Sequence, residues 1–170
     1  MKNKFIENEL WYLSISGAFQ RNSVYAKNID DKSGKKKEAF KVKLRANVIE
    51  IIKRYEVFVS DEDHVDNILE IIAFNKDEIL TNGKLTFGTA QKLLNLYLKY
   101  IWCTDRLAHM PPHCPVDSVI LKKSKQYKSR RWTQLNCKDD YMLCITDLRE
   151  QASYDNLHLA EWELAVFNNR

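Results

Sequence analysis

Lys92 and Asp117 are the residues of this chain whose types and settings suit covalent chemistry. Lys92 stands early in the apolar run Phe87-Gly88-Thr89-Ala90-Gln91-Lys92-Leu93-Leu94-Asn95, and Asp117 follows 25 residues later in Pro111-Pro112-His113-Cys114-Pro115-Val116-Asp117-Ser118-Val119. A glycine turn delivers an amine, and a proline-stiffened loop delivers a carboxylate at the next helix start. A neutral amine beside a carboxylate can attack a sugar carbon and hold it as a Schiff base. A free lysine titrates near ~10.4; burial in an apolar helix start and the positive end of that helix both favour the neutral amine. Asp117 would stay ionised and orient the nucleophile or stabilise a cationic sugar. Each residue also has a plainer role: a lysine at a helix start is commonly solvated, and an aspartate after Pro-Val is commonly an N-cap.

The charge distribution adds a second signal. Between Lys122 and Arg131 stand Lys122, Lys123, Lys125, Lys128, Arg130 and Arg131, with no acidic residue between Asp117 and Asp139. A second cluster is Lys32, Lys35, Lys36, Lys37, Lys41 and Lys43, partly offset by Glu38. Such patches suit a phosphate backbone, although a lysine run alone is more often a solvated mobile loop. The first cluster weighs more because it follows the candidate aspartate.

The elements that must position these groups read as helices. Leu10 to Ala18 offers Trp11, Leu13, Ile15 and Ala18 for a buried face, and the polar stretch Asn28 to Lys37 reads as a loop. Val42, Leu44, Val48, Ile51, Ile52 and Tyr55 recur at helical spacing and predict a helix over Ala39 to Phe58. Ser60 is placed to cap a helix carrying Val65, Ile68, Leu69 and Ile72. A short helix over Asp77 to Leu80, with a hairpin at Thr86 to Gln91, would form a helix-hairpin-helix whose turn can hold a phosphate. The following run through Trp102 is apolar on most sides and belongs in a domain centre. Pro115 suits the first turn of a new helix. Asp139 to Ala152 and Asn156 to Phe167 read as two closing helices.

With 170 residues, 45% of them hydrophobic, the chain is long enough for one domain with a real core, spanning 1–170. Only 4 Gly and 3 Pro argue against a turn-rich sandwich or barrel, so the fold class is all-α. No apolar run has membrane-spanning length and the N-terminal stretch is interrupted by acids, so an intracellular protein without a membrane role is expected. Cys103, Cys114, Cys137 and Cys144 show no C-x-x-C spacing, so reduced thiols rather than a metal site are expected.

Gly88-Thr89-Ala90-Gln91-Lys92 resembles the hairpin of the helix-hairpin-helix, Gly/Pro-rich, aspartate-containing DNA glycosylase superfamily, and Pro115-Val116-Asp117-Ser118-Val119 resembles its aspartate loop. The helix from Lys92 to Tyr97 is most similar to the archaeal 8-oxoguanine glycosylase/lyase branch, and the resemblance covers about Leu85 to Leu121. It implies the helical fold of that superfamily and a glycosylase with associated abasic-site lyase activity, with Lys92 as nucleophile and Asp117 as its partner. No cofactor is implied, and a monomer acting on double-stranded DNA with a damaged or modified base is expected. Gly88, Thr89 and Gln91, with the basic segment, would hold DNA. Two fainter similarities place Gln20, in Ser16-Gly17-Ala18-Phe19-Gln20, and His158 with Trp162 at a base pocket. The family carries an acid or amide where this chain has His158, and Ala90 stands where many relatives have a second glycine. The implied substrate therefore ranges from an oxidised purine to an unusual modified base, including modified invading DNA. For Trp162 a core position is the simpler reading, and Gln20 and His158 are equally compatible with satisfied, half-buried polar groups.

Two other functions fit parts of the pattern. A non-catalytic helix-hairpin-helix module would use the basic segment without Lys92 or Asp117. Arg106 and His113 have a spacing similar to that of all-helical HEPN-type ribonucleases, but Pro111 and Pro112 interrupt the helix such a motif requires.

Overall fold

The computed structural model describes residues 1–20 and 23–169. Among these the chain is helical: α1 (Lys2–Phe19), α2 (Lys35–Ile52), α3 (Asp61–Phe74), α4 (Phe87–Cys103), the single turn α5 (Ser118–Leu121), α6 (Lys138–Tyr154) and α7 (Leu159–Asn168), with 3-10 turns at Lys53–Glu56, Thr81–Gly83 and Trp132–Gln134. Extended pairing among the described residues is limited to an isolated antiparallel bridge between Tyr25 and Leu80. The all-α expectation is met. No described helix is long and apolar enough to cross a membrane.

α4 is the centre of the molecule: it is apolar on most sides, and its polar Thr89, Gln91, Asn95 and Lys99 are buried as well. From Phe87 to Leu98 every side chain except Leu96 is buried. α1, α3 and the Trp132–Gln134 turn pack around it. α1 lies close enough that a methyl group on Gly17 would come within 2.8 Å of Leu96 Cδ1. Higher up the same contact, Trp11 meets Tyr97 edge-on with ring centroids 6.1 Å apart. α7 is joined to α4 by a buried ion pair, Lys99 Nζ to Glu163 Oε2 at 2.7 Å.

Local chemistry sets most boundaries. α3 begins where expected, with the Asp63 amide donating to Ser60 Oγ at 3.1 Å. α2 begins four residues earlier than the apolar pattern predicts. The Asp31 carboxylate accepts from the Lys36 and Lys37 amides, each at 3.0 Å, and Gly34 takes the left-handed conformation (φ 72°) that launches the helix. α2 ends at Ile52 and a 3-10 turn replaces its expected last turn.

Several expectations are corrected. The Asp77–Leu80 segment is not helical: the Asp77 carboxylate accepts from the Ile79 amide at 3.1 Å, a local turn, and Leu80 enters the bridge to Tyr25. Val42 is 62% exposed, because Phe40, Leu44, Val48 and Ile51 define the buried stripe of α2 and Val42 lies on its opposite side. Leu13 and Leu69 are likewise exposed. Pro115 precedes α5 and does not belong to its first turn.

Candidate functional site

The residues around Lys92 meet where three segments cross: the start of α4, the loop that ends at Asp117, and the Trp132–Gln134 turn. Thr86 caps α4, its hydroxyl accepting from the Thr89 amide at 3.2 Å. Lys92, one turn in, is 9% exposed, and its ammonium lies 4.7 Å from the centroid of the Trp132 ring. The Trp132 turn is held close by Gly88: a methyl group there would come within 2.6 Å of the Trp132 carbonyl oxygen. Only a glycine permits that approach, so Gly88 serves the packing of the lysine's aromatic neighbour.

Gln91 joins the second segment to the first. Its Nε2 donates to the Val116 carbonyl at 2.8 Å, and its Oε1 accepts from the Val116 amide at 3.2 Å. Both groups of one side chain thus grip both polar groups of one backbone residue. The clamped residues are the immediate chain neighbours of Lys92 and Asp117. Asp117 itself caps α5, with Oδ1 accepting from the amides of Val119 at 2.8 Å and Ile120 at 3.1 Å.

Three hairpin residues expected at a DNA surface are placed elsewhere. Gly88, Thr89 and Gln91 are buried. The Gly88 backbone is covered by the Trp132 turn, the Thr89 amide is used by Thr86, and the Gln91 amide is used by Val116. The surface beside the α4 start is carried instead by Lys84 and Thr86, which are exposed and line a 140 Å³ cleft with Ser23, Val24 and Thr89.

The basic segment is exposed at Lys122, Lys123, Lys125, Lys128, Arg130 and Arg131. It is tied down rather than a free loop. Buried Tyr127, Trp132 and Leu135 anchor it, and the Asp147 carboxylate of α6 accepts from the Ser124 hydroxyl and from the Lys125 amide. Two of its cations have protein partners: Arg130 pairs with Asp140 at 2.6 Å, and Lys125 Nζ donates to the Tyr154 hydroxyl at 2.8 Å.

The three residues expected at a base pocket have different surroundings. Gln20, exposed at the end of α1, lines a 470 Å³ groove with Tyr12, Phe19, Tyr25 and Lys41. His158 is the N-cap of α7: its Nδ1 accepts from the Ala160 amide, and Glu161 returns a bond to the His158 amide at 3.1 Å. Trp162 is a core residue, 4% exposed.

Behind the Lys92 junction runs a polar chain that the sequence did not disclose. Asn95 donates to Gln91 Oε1 at 3.2 Å and to the Tyr141 hydroxyl at 3.1 Å. That hydroxyl meets His113 Nδ1 at 2.9 Å, and His113 Nε2 meets Asp61 Oδ1 at 3.1 Å. Asp61 is gripped by Arg149 through both guanidinium nitrogens, at 2.5 and 2.6 Å. The Arg149 guanidinium, then His113, hold the Asp61 carboxyl far below the usual carboxylate range. Burial lowers the His113 pKa, against the opposing pull of Asp61. His64 meets His113 edge-on with centroids 4.4 Å apart and is lowered further, first by its complete burial and then by that neighbour. Burial pushes the Tyr141 hydroxyl well up. His113 is 1% exposed with both ring nitrogens engaged, which leaves it no route to an RNA substrate; Arg106 lies instead against Glu7 of α1 at 3.5 Å.

Lys92 and Asp117 were legible as types in their motifs; Trp132 was not, and Gln91 was read as a DNA contact, since nothing in a single sequence reports which distant residue a side chain meets. An aromatic residue in a lysine-rich stretch is nonetheless a sign that the stretch is anchored. Compared with known proteins, the chain matches no family model, no curated protein and no solved structure.

Proposed function

We propose that this protein is a DNA glycosylase with associated abasic-site lyase activity, acting through Lys92 with Asp117 as its ionised partner. One observation carries the reading: an almost fully buried lysine at a helix start, with the aspartate-bearing loop locked beside it by the Gln91–Val116 clamp. Supporting it is the exposed basic surface of Lys122, Lys123, Lys128 and Arg131, continuous in sequence with the Trp132 turn that covers the lysine.

The chemistry follows from the groups. The neutral Lys92 amine attacks C1′ of the deoxyribose while the bond from C1′ to the base nitrogen breaks, and the base leaves with that electron pair and gains a proton. The C1′–O4′ bond then breaks as the nitrogen lone pair forms the C=N bond of a protonated imine, and O4′ becomes a hydroxyl by taking up a proton that the amine gave up. Removal of a C2′ proton then expels the 3′ phosphate, nicking the strand. The target nucleotide must leave the helix stack first, at a cost of a few kcal/mol that is least for a damaged or modified base. The Trp132 ring covers one side of Lys92 Nζ, with its centroid 4.7 Å away.

The test is covalent capture. Incubation with duplex DNA carrying an abasic site, in the presence of borohydride, should give a stable protein–DNA adduct. Lys92→Gln should abolish the adduct and leave DNA binding largely intact. Binding without any adduct would identify a non-catalytic DNA-binding module, the reading favoured if Asp117 serves as an N-cap alone.

A further inference from the structure

Gln91 is the residue whose placement the reaction does not by itself explain. A glutamine on a solvated helix face costs nothing, but one with no exposed surface must have both halves of its amide satisfied. Here they are satisfied across 25 residues of chain, by a single backbone unit. A loop residue outside helices and sheets ordinarily gives its amide and carbonyl to water. Val116 gives both to Gln91, which fixes the loop as a neighbouring strand would. Asn95, one helical turn beyond Gln91, donates to the same Oε1 and so fixes the amide's orientation. Asn95 is in turn held by Tyr141, at the head of the chain through His113 to Asp61 and Arg149.

Resting on the glycosylase/lyase reading above, we infer that Gln91 is a positioning residue that sets the Asp117 loop against Lys92 through its two-bond clamp on Val116. It touches no substrate. Its effect is on the register between amine and carboxylate, and a displacement of about 1 Å at such a pair costs on the order of 100-fold in rate. Because Gln91 acts through Asp117, its contribution must vanish when Asp117 can no longer work.

Gln91→Met keeps the length and apolar body of the side chain and removes both bonds. On abasic-site duplex it is expected to bind within about 2-fold of the wild-type protein, while the single-turnover rate of borohydride trapping falls about 10- to 100-fold. In an Asp117→Asn background the same substitution should add little further loss, a non-additivity that general loosening of the fold would not produce. In the wild-type protein the Val116 amide should be strongly protected from hydrogen exchange, a measurement that requires no variant to fold. If wild-type protein forms no adduct, the enzymatic reading itself fails. If wild-type traps and Gln91→Met traps equally fast, or the two substitutions multiply, or the Val116 amide exchanges like an exposed loop amide, the positioning role is overturned.

Discussion

At the scale of single residues, two glycines in close approaches should respond unequally to the same added methyl group. At Gly88 the obstacle is the Trp132 carbonyl, backbone that cannot rotate aside, at 2.6 Å. Gly88→Ala should cost about 1–3 kcal/mol in denaturant unfolding, because the Trp132 turn must retreat to make room for the methyl group. At Gly17 the obstacle is the far end of the Leu96 side chain, at 2.8 Å. A rotamer change relieves it, and alanine gains about 0.5–1 kcal/mol over glycine inside a helix, so Gly17→Ala should be close to neutral. Equal losses at both positions would contradict this account. The sequence made Gly88 conspicuous as a turn residue; the reason for it, a carbonyl 44 residues downstream, was invisible because a close approach is a property of two segments. The same limit applies to Gln91, whose neighbour Lys92 was legible as a nucleophile type while its own partner was not.

At the scale of elements, Lys99 and Glu163 pin α7 to α4, with side chains only 8% and 4% exposed. Removing one charge leaves the other buried and unpaired. Glu163→Gln should therefore destabilise by about 3–5 kcal/mol, whereas the double substitution Lys99→Met with Glu163→Leu should recover most of that loss. Unfolding of the two variants side by side decides it; a double variant as weak as the single one would show that the pair contributes net stability. Element boundaries were legible where local chemistry sets them. Ser60 was readable as a cap because its acceptor role acts three residues away. The Asp77–Leu80 segment was misread as helix because its fate is decided by Tyr25, more than fifty positions earlier. Val42 was misassigned because its apolar character fits a stripe that Phe40 and Leu44, two residues to either side, in fact define.

At the scale of the whole molecule, the buried histidines make stability sensitive to mild acid. His64 and His113 have lowered pKa values in the fold, so they stay neutral there while the unfolded chain takes up protons below about pH 6.5. With more protons on the unfolded state, stability falls as pH drops from about 6.5 toward those lowered values. The facing groups are Tyr55 beside His64, and Asp61, Tyr141 and Arg149 around His113. A second loss begins near pH ~4, where an unfolded Asp61 would protonate while the folded one, held by Arg149, does not until far lower. Urea unfolding between pH 8 and pH 3 should trace both losses, and His64→Phe should flatten the first; stability unchanged from pH 8 to pH 5 would contradict the account. α4 has a further consequence. Elements before and after it in sequence close over it, so an emerging polypeptide that has reached Cys103 carries this helix half-covered, with Glu163 not yet made to pair with Lys99. Until the Trp132 turn and Glu163 have been made, α4 exposes surface that favours aggregation, so shielding during synthesis should raise the yield of folded protein.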